Sequence, residues 1–326
     1  MKVLLTGASG FVGSHILDTL CSRRIPAAIL LRSNSNRRFV QSHLPEVEIR
    51  EGSLAEPTSL QSALQGITHV LHCAGSTKAR NSAEFFEVNH GGTKNLLHAV
   101  KAQVPNLENF VHISSLAAVG PATAEAPATE SDSPHPISGY GQSKLAAEEE
   151  VRKTGAGKFV ILRPPAVYGP RDIEFFRIFR AVKNHILPRT NAAQQLSLVF
   201  VKDLAEVAVG CLQSAAALGK TYFVAAEEIA TGRKMAEEIA AQFRTWTVPL
   251  PLPTPMLWPV CLAQDVMTRL TGKANVLSLQ KYAELRAPGW VCDSSRLKRD
   301  TGMSCPTTLS KGIAETLDWY RREGWV

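Results

Sequence analysis

The chain has 326 residues, 44% of them hydrophobic and 20% charged, proportions that are ordinary for a globular enzyme. Its length allows one large domain or two that share a surface. The net charge of +7 raises the question of nucleic-acid binding. The sequence has no run of five or more basic residues and no RNA-binding motif, so we expect no nucleic-acid partner.

The six cysteines are scattered and form no CxxC pair, which favours reduced thiols in a cytoplasmic chain. The apolar run at the N-terminus, Val3 to Leu5, is too short for a signal peptide. His69 and His72 form the closest histidine pair, but on a strand they would face opposite sides of the sheet. We therefore predict no metal site.

Short apolar runs alternate with helical patterns through the first two thirds of the chain, as they do in βαβ units. Apolar residues from Val12 to Leu20 mark one face of a first helix, and Pro57 and Gly66 frame a second one. The pattern predicts an α/β fold with a doubly wound parallel sheet, that is, a Rossmann domain. The predicted strands are Val3–Thr6, Ala27–Leu31, Val47–Ile49, His69–His72, Phe110–Ser114, Phe159–Arg163 and Thr221–Val224.

Two segments interrupt this alternation. The Pro-, Ala- and Thr-rich stretch Pro121–Pro136 is long for a connection, which predicts either a lid or a disordered insert. The stretch Thr245–Gln264 has twenty residues without a charge, but its five prolines are expected to break any helix, so we predict no transmembrane segment. Three interpretations of it stay open: the wall of a substrate entrance, packed core, or contact with a membrane surface.

The alternation becomes irregular after about Pro170. We predict a Rossmann domain over residues 1–170, to which residues 199–226 return with a helix at Asp203–Ala217. Residues 171–198 and 227–326 are predicted to form a smaller substrate domain.

Three glycines follow the first strand and open the first helix, in the sequence Gly7-Ala-Ser-Gly10-Phe-Val-Gly13. Glycines at this position permit a tight turn and let the backbone approach a pyrophosphate, while the helix N-terminus offers N–H donors to the phosphates. The motif predicts a dinucleotide site. The GxxGxxG spacing, with the motifs described next, resembles the extended short-chain dehydrogenase/reductase family over nearly the whole chain.

Tyr140 and Lys144 are four residues apart in a helical run, so their side chains share one helix face. A nearby ammonium favours the phenolate, and we expect it to lower the pKa of Tyr140. The family resemblance implies that Tyr140 donates or accepts the proton and that Lys144 also holds the nicotinamide ribose.

The strand ending His112-Ile-Ser-Ser115 provides the third catalytic candidate. The resemblance favours Ser115 over Ser114, because Gly120 then follows at the family's spacing; either serine could instead cap the backbone. Its hydroxyl is expected to hydrogen-bond the substrate oxygen. Asn89 matches the family's asparagine, which is thought to hold a water in a proton relay, although an ordinary surface asparagine is the alternative.

The cofactor is expected to be NADP(H), with NAD as the alternative. Sites that select NAD commonly carry an acidic residue after the second strand, whereas this strand is followed by Arg32, whose guanidinium suits a 2′-phosphate. Ser53 replaces the family's usual aspartate at the adenine. The predicted cofactor contacts are Gly7, Ser9, Gly10, Phe11, Val12, Gly13, Arg32, Leu54, Cys73, Ala74, Gly75, Tyr140, Lys144, Pro164 and Val167.

Two branches of the family compete for the substrate. Nucleotide-sugar epimerases and dehydratases place an arginine before a Val-x-Asp element, but here Leu196 precedes Val201-Lys-Asp203. The stretch looks more like the branch of 3β-hydroxysteroid dehydrogenases, dihydroflavonol reductases and hopanoid-associated epimerase-like proteins. We therefore expect redox chemistry at a carbonyl or secondary alcohol of a fairly apolar small molecule. The alternatives are a nucleotide-sugar enzyme and a non-catalytic cofactor sensor or RNA-binding relative. The resemblance also implies a homodimer through helices near 82–103 and 139–154.

Overall fold

A parallel sheet of seven strands lies at the centre of the computed structural model, which describes residues 1–155, 157–189, 194–251, 254–272 and 278–326. The strands of the chain are β1 (Val3–Thr6), β2 (Ala27–Leu31), β3 (Glu48–Glu51), β4 (His69–His72), β5 (Asn109–Ile113), β6 (Phe159–Arg163), β7 (Ala166–Tyr168), β8 (Ile186–Arg189), β9 (Gln195–Phe200), β10 (Lys220–Phe223), β11 (Ile229–Thr231), β12 (Val248–Pro251) and β13 (Gly289–Trp290).

The helices are α1 (Phe11–Ser22), α2 (Pro57–Ala63), α3 (Ser82–Phe85), α4 (Gly92–Gln103), α5 (Gly139–Thr154), α6 (Ile173–Lys183), α7 (Val201–Cys211), α8 (Gly232–Phe243), α9 (Thr254–Thr271), α10 (Leu279–Arg286), α11 (Ser295–Thr301) and α12 (Leu309–Arg322). Short 3-10 turns lie at Gln41–His43, Leu116–Ala118 and Ala215–Ala217, and a π-helix at Phe86–Gly91.

The central sheet has the order β10-β6-β5-β4-β1-β2-β3, and each neighbouring pair is parallel. The predicted α/β Rossmann class is confirmed, and each of the seven predicted strands corresponds to a strand of this sheet with ends that differ by two residues at most. The apolar runs were recognisable because the inner strands are covered by helices on both faces, which buries side chains on both sides of the sheet. Strand β1, for example, is buried at each of its four residues.

A second layer is built from the later part of the chain. Strand β9 pairs with β11, β13 and β7, and β12 pairs with β8. A separate apolar cluster, which includes Phe179, Ile239, Ile313 and Tyr320, joins α6, α8 and α12. Leu297, by contrast, packs in the main core beneath the large sheet. The domain limits drawn from the sequence stay predictions.

The segment Pro121–Pro136 is neither a disordered insert nor a lid, so both expectations were wrong. Its backbone pairs with that of β13 and the following residues, through bridges from Ala122 to Trp290 and from Ala128 to Cys292. Glu130 accepts a hydrogen bond from the Phe223 N–H. None of these sixteen residues is among the described residues that line the large cavity. The segment is a fixed strap, since main-chain pairing replaces the regular structure that its prolines prevent.

The expectation that prolines exclude a helix from Thr245–Gln264 was half wrong. The first part contains strand β12, but α9 begins at Thr254 and includes Pro255 and Pro259. Pro255 lies in the first turn, where no N–H is required, and Pro259 removes one internal hydrogen bond without ending the helix. Leu252 and Pro253 lie outside the described residues. Among described residues, no helix is both long and apolar enough to cross a membrane.

A buried ion pair attaches α5 to the central sheet. Arg163, the last residue of β6, donates to both carboxylate oxygens of Glu148 at 2.9 and 2.7 Å. The Ser114 hydroxyl donates to the same carboxylate at 2.5 Å, and Arg152 donates at 2.8 Å. Burial raises the pKa of the Glu148 carboxyl, but the hydrogen bonds and charge of Arg163 outweigh burial and hold it below its usual value. Glu148 is 0% exposed and Arg163 3% exposed.

We predict that Glu148→Leu lowers the free energy of unfolding by about 3–5 kcal/mol, because it leaves the Arg163 guanidinium buried without a counter-charge. The double variant Glu148→Leu/Arg163→Met should recover much of this loss. Arg152→Met is the matched control, since the Arg152 side chain is 37% exposed, against 3% for Arg163, and its pairing should contribute about 1 kcal/mol or less. Urea unfolding of the parent, of Glu148→Leu and Arg163→Met alone, and of the double variant measures the cycle, and strictly additive losses would contradict the coupling.

Candidate active site

The glycine loop lies where the order of the strands reverses, between β1 and β4. Such a point opens a crevice at the carboxyl ends of the strands, where α/β proteins bind ligands. Gly7 has a φ of +78°, and a Cβ atom there would lie 2.7 Å from the Ala74 backbone nitrogen. A Cβ on Gly13 would overlap the Gly7 carbonyl oxygen. Gly7 is therefore required for the loops after β1 and β4 to approach, and Gly13 is required for α1 to begin directly against the loop after β1.

The N-terminus of α1 fits the phosphates of a dinucleotide. Gly10 is its N-cap and offers no side-chain acceptor, and the first turn contains no acidic residue. The N–H groups of Phe11, Val12 and Gly13 have no partner inside the helix and point towards the crevice with the positive end of the helix dipole. Ser9 lies in the same loop. The residues present thus fit the pyrophosphate of the predicted cofactor.

Tyr140 lies in the first turn of α5, beside Ser115, which caps the 3-10 turn that follows β5. The two elements approach closely because residue 141 is glycine: a Cβ there would overlap the Ala117 carbonyl oxygen. Burial raises the pKa of Tyr140 to about 12, although the Ser115 hydroxyl acts to lower it. The sequence analysis expected Lys144 to lower the pKa of Tyr140. In the protein itself this pKa is raised instead, because burial of the phenol has a larger effect than the hydrogen bond with Ser115.

Lys144 is 5% exposed, and its Nζ donates to the Ile113 carbonyl oxygen at 2.6 Å. Burial lowers the pKa of Lys144 to about 8. The ammonium lies at the loop after β4, since a Cβ on Gly75 would be 3.9 Å from Nζ. Burial also raises the pKa of the Cys73 thiol in this loop to about 12, so Cys73 forms an unreactive wall.

The structure separates the two candidate serines. Ser114 is buried and donates its hydroxyl hydrogen to Glu148, so it belongs to the ion-pair network. Ser115 is only half-buried and lines the large cavity together with Tyr140. Consecutive residues at a strand end point to opposite sides, which is why one serves packing and the other faces the cavity.

Asn89 lies in the π-helix Phe86–Gly91, where one wide turn moves its side chain into the protein. Its amide oxygen accepts from the Ser76 N–H at 2.7 Å, and its amide nitrogen donates to the Ser76 carbonyl at 3.1 Å and to the Ser143 hydroxyl at 3.0 Å. Asn89 therefore joins the loop after β4 to α5. These contacts favour a positioning role for this side chain over the exposed surface asparagine that was the alternative.

A cavity of about 890 Å³ opens beside Ser115 and Tyr140. Its lining combines apolar side chains with polar and charged ones. The apolar lining residues are Ala79, Phe85, Leu116, Ala117, Pro165, Ala166, Leu196, Leu285 and Trp290.

The remaining predicted cofactor residues lie around these loops. The Leu54 carbonyl accepts from the Asn95 amide at 2.8 Å, and the Pro164 carbonyl accepts from the Leu116 N–H at 2.8 Å. Val167 packs against the main core, while Pro165 and Ala166 between them line the cavity. Arg32 is exposed at the end of β2.

Helix α10 contributes site residues that the sequence analysis missed. The Gln280 side chain accepts from the Gly139 N–H at 3.0 Å, and Glu284 accepts from the Ser138 hydroxyl at 2.8 Å. These bonds attach α10 to the turn that carries Tyr140, and both residues line the cavity. No local motif marks them, since only the tertiary fold brings residue 280 to residue 139.

The absence of a metal stays a prediction. Among the described residues one group, Cys21, His43 and Glu46, brings three ligand-type atoms within 4.8 Å of one another. It lies on α1 and the turn after β2, and it shares no residue with the cavity lining. His69 and His72 have separate partners, as expected.

A sequence model of the NAD dependent epimerase/dehydratase family matches residues 3–225. The chain belongs to this family. The assignment agrees with the glycine loop, the strand order and the paired Tyr140 and Lys144, and it makes the protein a member of an enzyme family that uses a nicotinamide dinucleotide.

The names of similar proteins refer to different substrates. A ceramide reductase of Caulobacter vibrioides is 29% identical and covers 99% of this chain and 96% of its own length. A UDP-glucose 4-epimerase of Vibrio cholerae is 28% identical, with 97% and 94% covered. Sterol demethylase protein B of Methylococcus capsulatus is 26% identical over the whole of both chains.

Among solved structures, a UDP-glucuronic acid 4-epimerase of Bacillus cereus, in complex with UDP-glucuronic acid and NAD, superposes with a TM-score of 0.81. It is 22% identical and covers 99% of this chain and all of its own. At this identity the likeness supports the extended short-chain dehydrogenase/reductase fold.

We predict that Ser115→Ala lowers kcat of this family member about 100-fold or more with little change in stability, because it removes the hydroxyl beside Tyr140. Ser114→Ala is the matched control and should do the reverse, lowering stability by about 1–3 kcal/mol while kcat stays within about threefold. Steady-state kinetics and thermal unfolding measure both. Equal kinetic effects of the two changes would contradict the assignment.

Proposed function

We propose that the protein reduces a carbonyl group of a fairly apolar small molecule with NADPH, or oxidises the corresponding secondary alcohol. The observation that carries this proposal is the charge of the cavity wall. A nucleotide sugar needs cations for its diphosphate, and the described part of this wall offers none that is unpaired.

The described lining residues include three basic side chains, and each is paired with a carboxylate. Lys78 pairs with Glu174, Arg80 with Glu84 at 3.0 Å, and Lys281 with Glu284 at 2.9 Å. The same lining contains three acidic residues, Glu174, Asp265 and Glu284. A diphosphate would enter a wall with no net charge and would have to displace existing partners, both of which disfavour its binding.

Leu196 supports the same conclusion. It lies on β9 opposite Trp290 of β13, and both residues line the cavity. In the nucleotide-sugar branch an arginine is expected at the position of Leu196. Here the aliphatic and indole groups favour apolar contact, which gains about 25 cal/mol per Å² of buried surface.

The names of the relatives support a lipid-like substrate without identifying it. A ceramide and a sterol are large, mostly apolar molecules, and the enzymes named after them cover nearly all of this chain. The UDP-glucose 4-epimerase is almost as similar, so nucleotide-sugar epimerisation is the second candidate function.

The site residues suit a reduction. A phenol whose pKa is about 12 carries its proton at neutral pH and is ready to donate it to a carbonyl oxygen. Ser115 would hydrogen-bond that oxygen, and Lys144 would hold the ribose from its place beside Gly75. When bound, NADPH supplies the hydride to the carbonyl carbon. Asn89 joins the loop after β4 to α5, and Gln280 holds the start of α5 beside Tyr140.

We predict that the protein oxidises NADPH in the presence of an apolar ketone and that Tyr140→Phe abolishes this turnover while NADPH still binds. The variant loses the proton donor but keeps the glycine loop and Lys144. Tyr282→Phe is the control, because Tyr282 is a half-buried tyrosine outside the described cavity lining. A panel of ketones and nucleotide sugars, with calorimetric titration of UDP-glucose, measures the preference. Micromolar binding of UDP-glucose without ketone reduction would favour epimerisation.

We further predict that NADPH binds more tightly than NADH by about one to two decades, since a charge-assisted hydrogen bond from Arg32 to the 2′-phosphate contributes about 1.5–3 kcal/mol. Arg32→Asp should reverse the preference. Arg38→Gln is the matched control, because the Arg38 guanidinium pairs with Glu323 at 3.2 Å and lies over the Trp325 ring. Fluorescence titration of both cofactors measures this, and an unchanged preference in Arg32→Asp would refute the role.

The cytoplasmic location and the homodimer stay predictions. A purely sensory role is disfavoured because Tyr140 and Lys144, whose loss typifies non-catalytic relatives, both lie at the site.

A further inference from the structure

Helix α9 turns apolar side chains towards the solvent. A helix at a protein surface normally places its polar residues outside, because the apolar stripe packs on the core. Here the exposed side is almost entirely apolar. Its large apolar side chains that are more than a third exposed are Met256, Trp258, Val260, Leu262, Val266, Met267 and Leu270.

The opposite side of α9 carries the polar groups. Cys261 and Thr268 are buried, and Gln264 and Asp265 are half-buried between them, at the spacing of one helix face. The Asp265 carboxylate accepts from the Leu279 N–H at 3.3 Å. Asp265 and Thr268 also line the large cavity. No described residue of Thr245–Gln264, where the wall of a substrate entrance was one interpretation, lines the cavity. Helix α9 contacts the cavity only beyond this stretch, and it separates the cavity from an apolar outer face.

The strand that precedes α9 has the same character. Trp246, Val248 and Leu250 alternate along β12 and its approach, and each is at least 46% exposed. Ile186 of β8 lies opposite Val248 in the pairing and is also exposed. Trp246 stacks on an imidazole ring, with 4.2 Å between ring centroids. Tryptophan is enriched where an apolar phase meets headgroups.

Basic side chains border this region. Arg180 and Lys183 lie in the last turn of α6, which leads into β8, and Arg244 precedes β12. All three are exposed, and in the part of the chain that the structure describes none pairs with a carboxylate. From Ile239 to Gly272 the sequence contains a single acidic residue, Asp265, whose carboxylate binds inward. Such a border complements anionic lipid headgroups.

We propose that α9 and β12 dock on the surface of a bilayer that contains anionic lipid, with the apolar side of α9 at the depth of the headgroups. The cavity then lies directly behind the docked helix. The proposal rests on the proposed function in one respect: an apolar carbonyl compound would pass from the bilayer to Tyr140 without crossing water.

A second copy of the chain would also cover the apolar face, but it fits the charges less well. In a two-fold interface the same patch meets itself, so the basic borders of the two copies would be brought together. A bilayer with anionic headgroups satisfies the apolar face and the basic border at once.

The test is sedimentation of the full chain with vesicles of phosphatidylcholine alone and of equimolar phosphatidylcholine and phosphatidylglycerol. The parent should bind the anionic vesicles more tightly. Trp258→Glu/Met267→Glu should lower that affinity about tenfold or more, since it charges the inserted face. The matched control is Ile49→Glu, which adds a charge at a similarly exposed apolar residue on β3. Its binding should equal that of the parent.

A charge variant, Lys183→Gln/Arg244→Gln, should lose the preference for anionic vesicles while its weaker binding to phosphatidylcholine stays. Leu270→Glu, at the most exposed of the seven positions, serves if the double variant does not fold. Failure of the parent to bind either vesicle, or an equal loss in Ile49→Glu, would overturn the proposal. So would a parent dimer that becomes monomeric in Trp258→Glu/Met267→Glu without any vesicle binding.

The measurement needs no turnover, so it is independent of the proposed reaction. Vesicle binding by a parent that reduces no ketone would support docking and reject the reductase. Reduction of a water-soluble ketone at the parental rate by Trp258→Glu/Met267→Glu, with vesicle binding lost, would support both.

Discussion

The buried pair of Glu148 and Arg163 is the interaction on which the site depends most directly. Neither charge could be buried alone, so each requires the other to lie within hydrogen-bond distance. Because Glu148 belongs to α5 and Arg163 ends β6, the pair sets where α5 lies along the sheet. Lys144 lies one turn before Glu148 on the same helix and Tyr140 two turns before it. The proposed catalytic groups are thus held by an ion pair to which we assign no part in the proposed chemistry.

Burial then determines the protonation of the site. The same low-dielectric surroundings that raise the pKa of Tyr140 to about 12 lower that of Lys144 to about 8. In the proposed reaction a neutral phenol suits proton donation to a carbonyl, and the nearby hydroxyl of Ser115 would hydrogen-bond the same oxygen. The sequence alone suggested the opposite shift for Tyr140, because spacing on a helix reveals a neighbouring charge but not how much protein surrounds it.

The proposed substrate class depends on how the charged side chains of the cavity wall are paired more than on which residues are present. The cavity wall contains lysines and an arginine, which a list of residues would interpret as phosphate ligands. Their partners, Glu174, Glu84 and Glu284, come from three different elements of the fold.

The twenty uncharged residues from Thr245 were conspicuous in the sequence. Only the helix that begins at Thr254 revealed that its large apolar side chains face outwards while Asp265 and Thr268 face the cavity.

By itself, the sequence determined what depends on neighbours along the chain. The apolar runs located the strands of the large sheet to within two residues, and the glycine loop, Tyr140 and Lys144 were recognised because their spacing is local. Only the tertiary structure showed that Ser114 reaches Glu148, thirty-four residues away, while Ser115 lines the cavity. It also decided the contacts of Asn89, the ordered path of Pro121–Pro136 and the place of α10 beside Tyr140. These features depend on contacts between segments that are distant in the sequence, so no local pattern predicts them. Burial and charge compensation are properties of the folded chain.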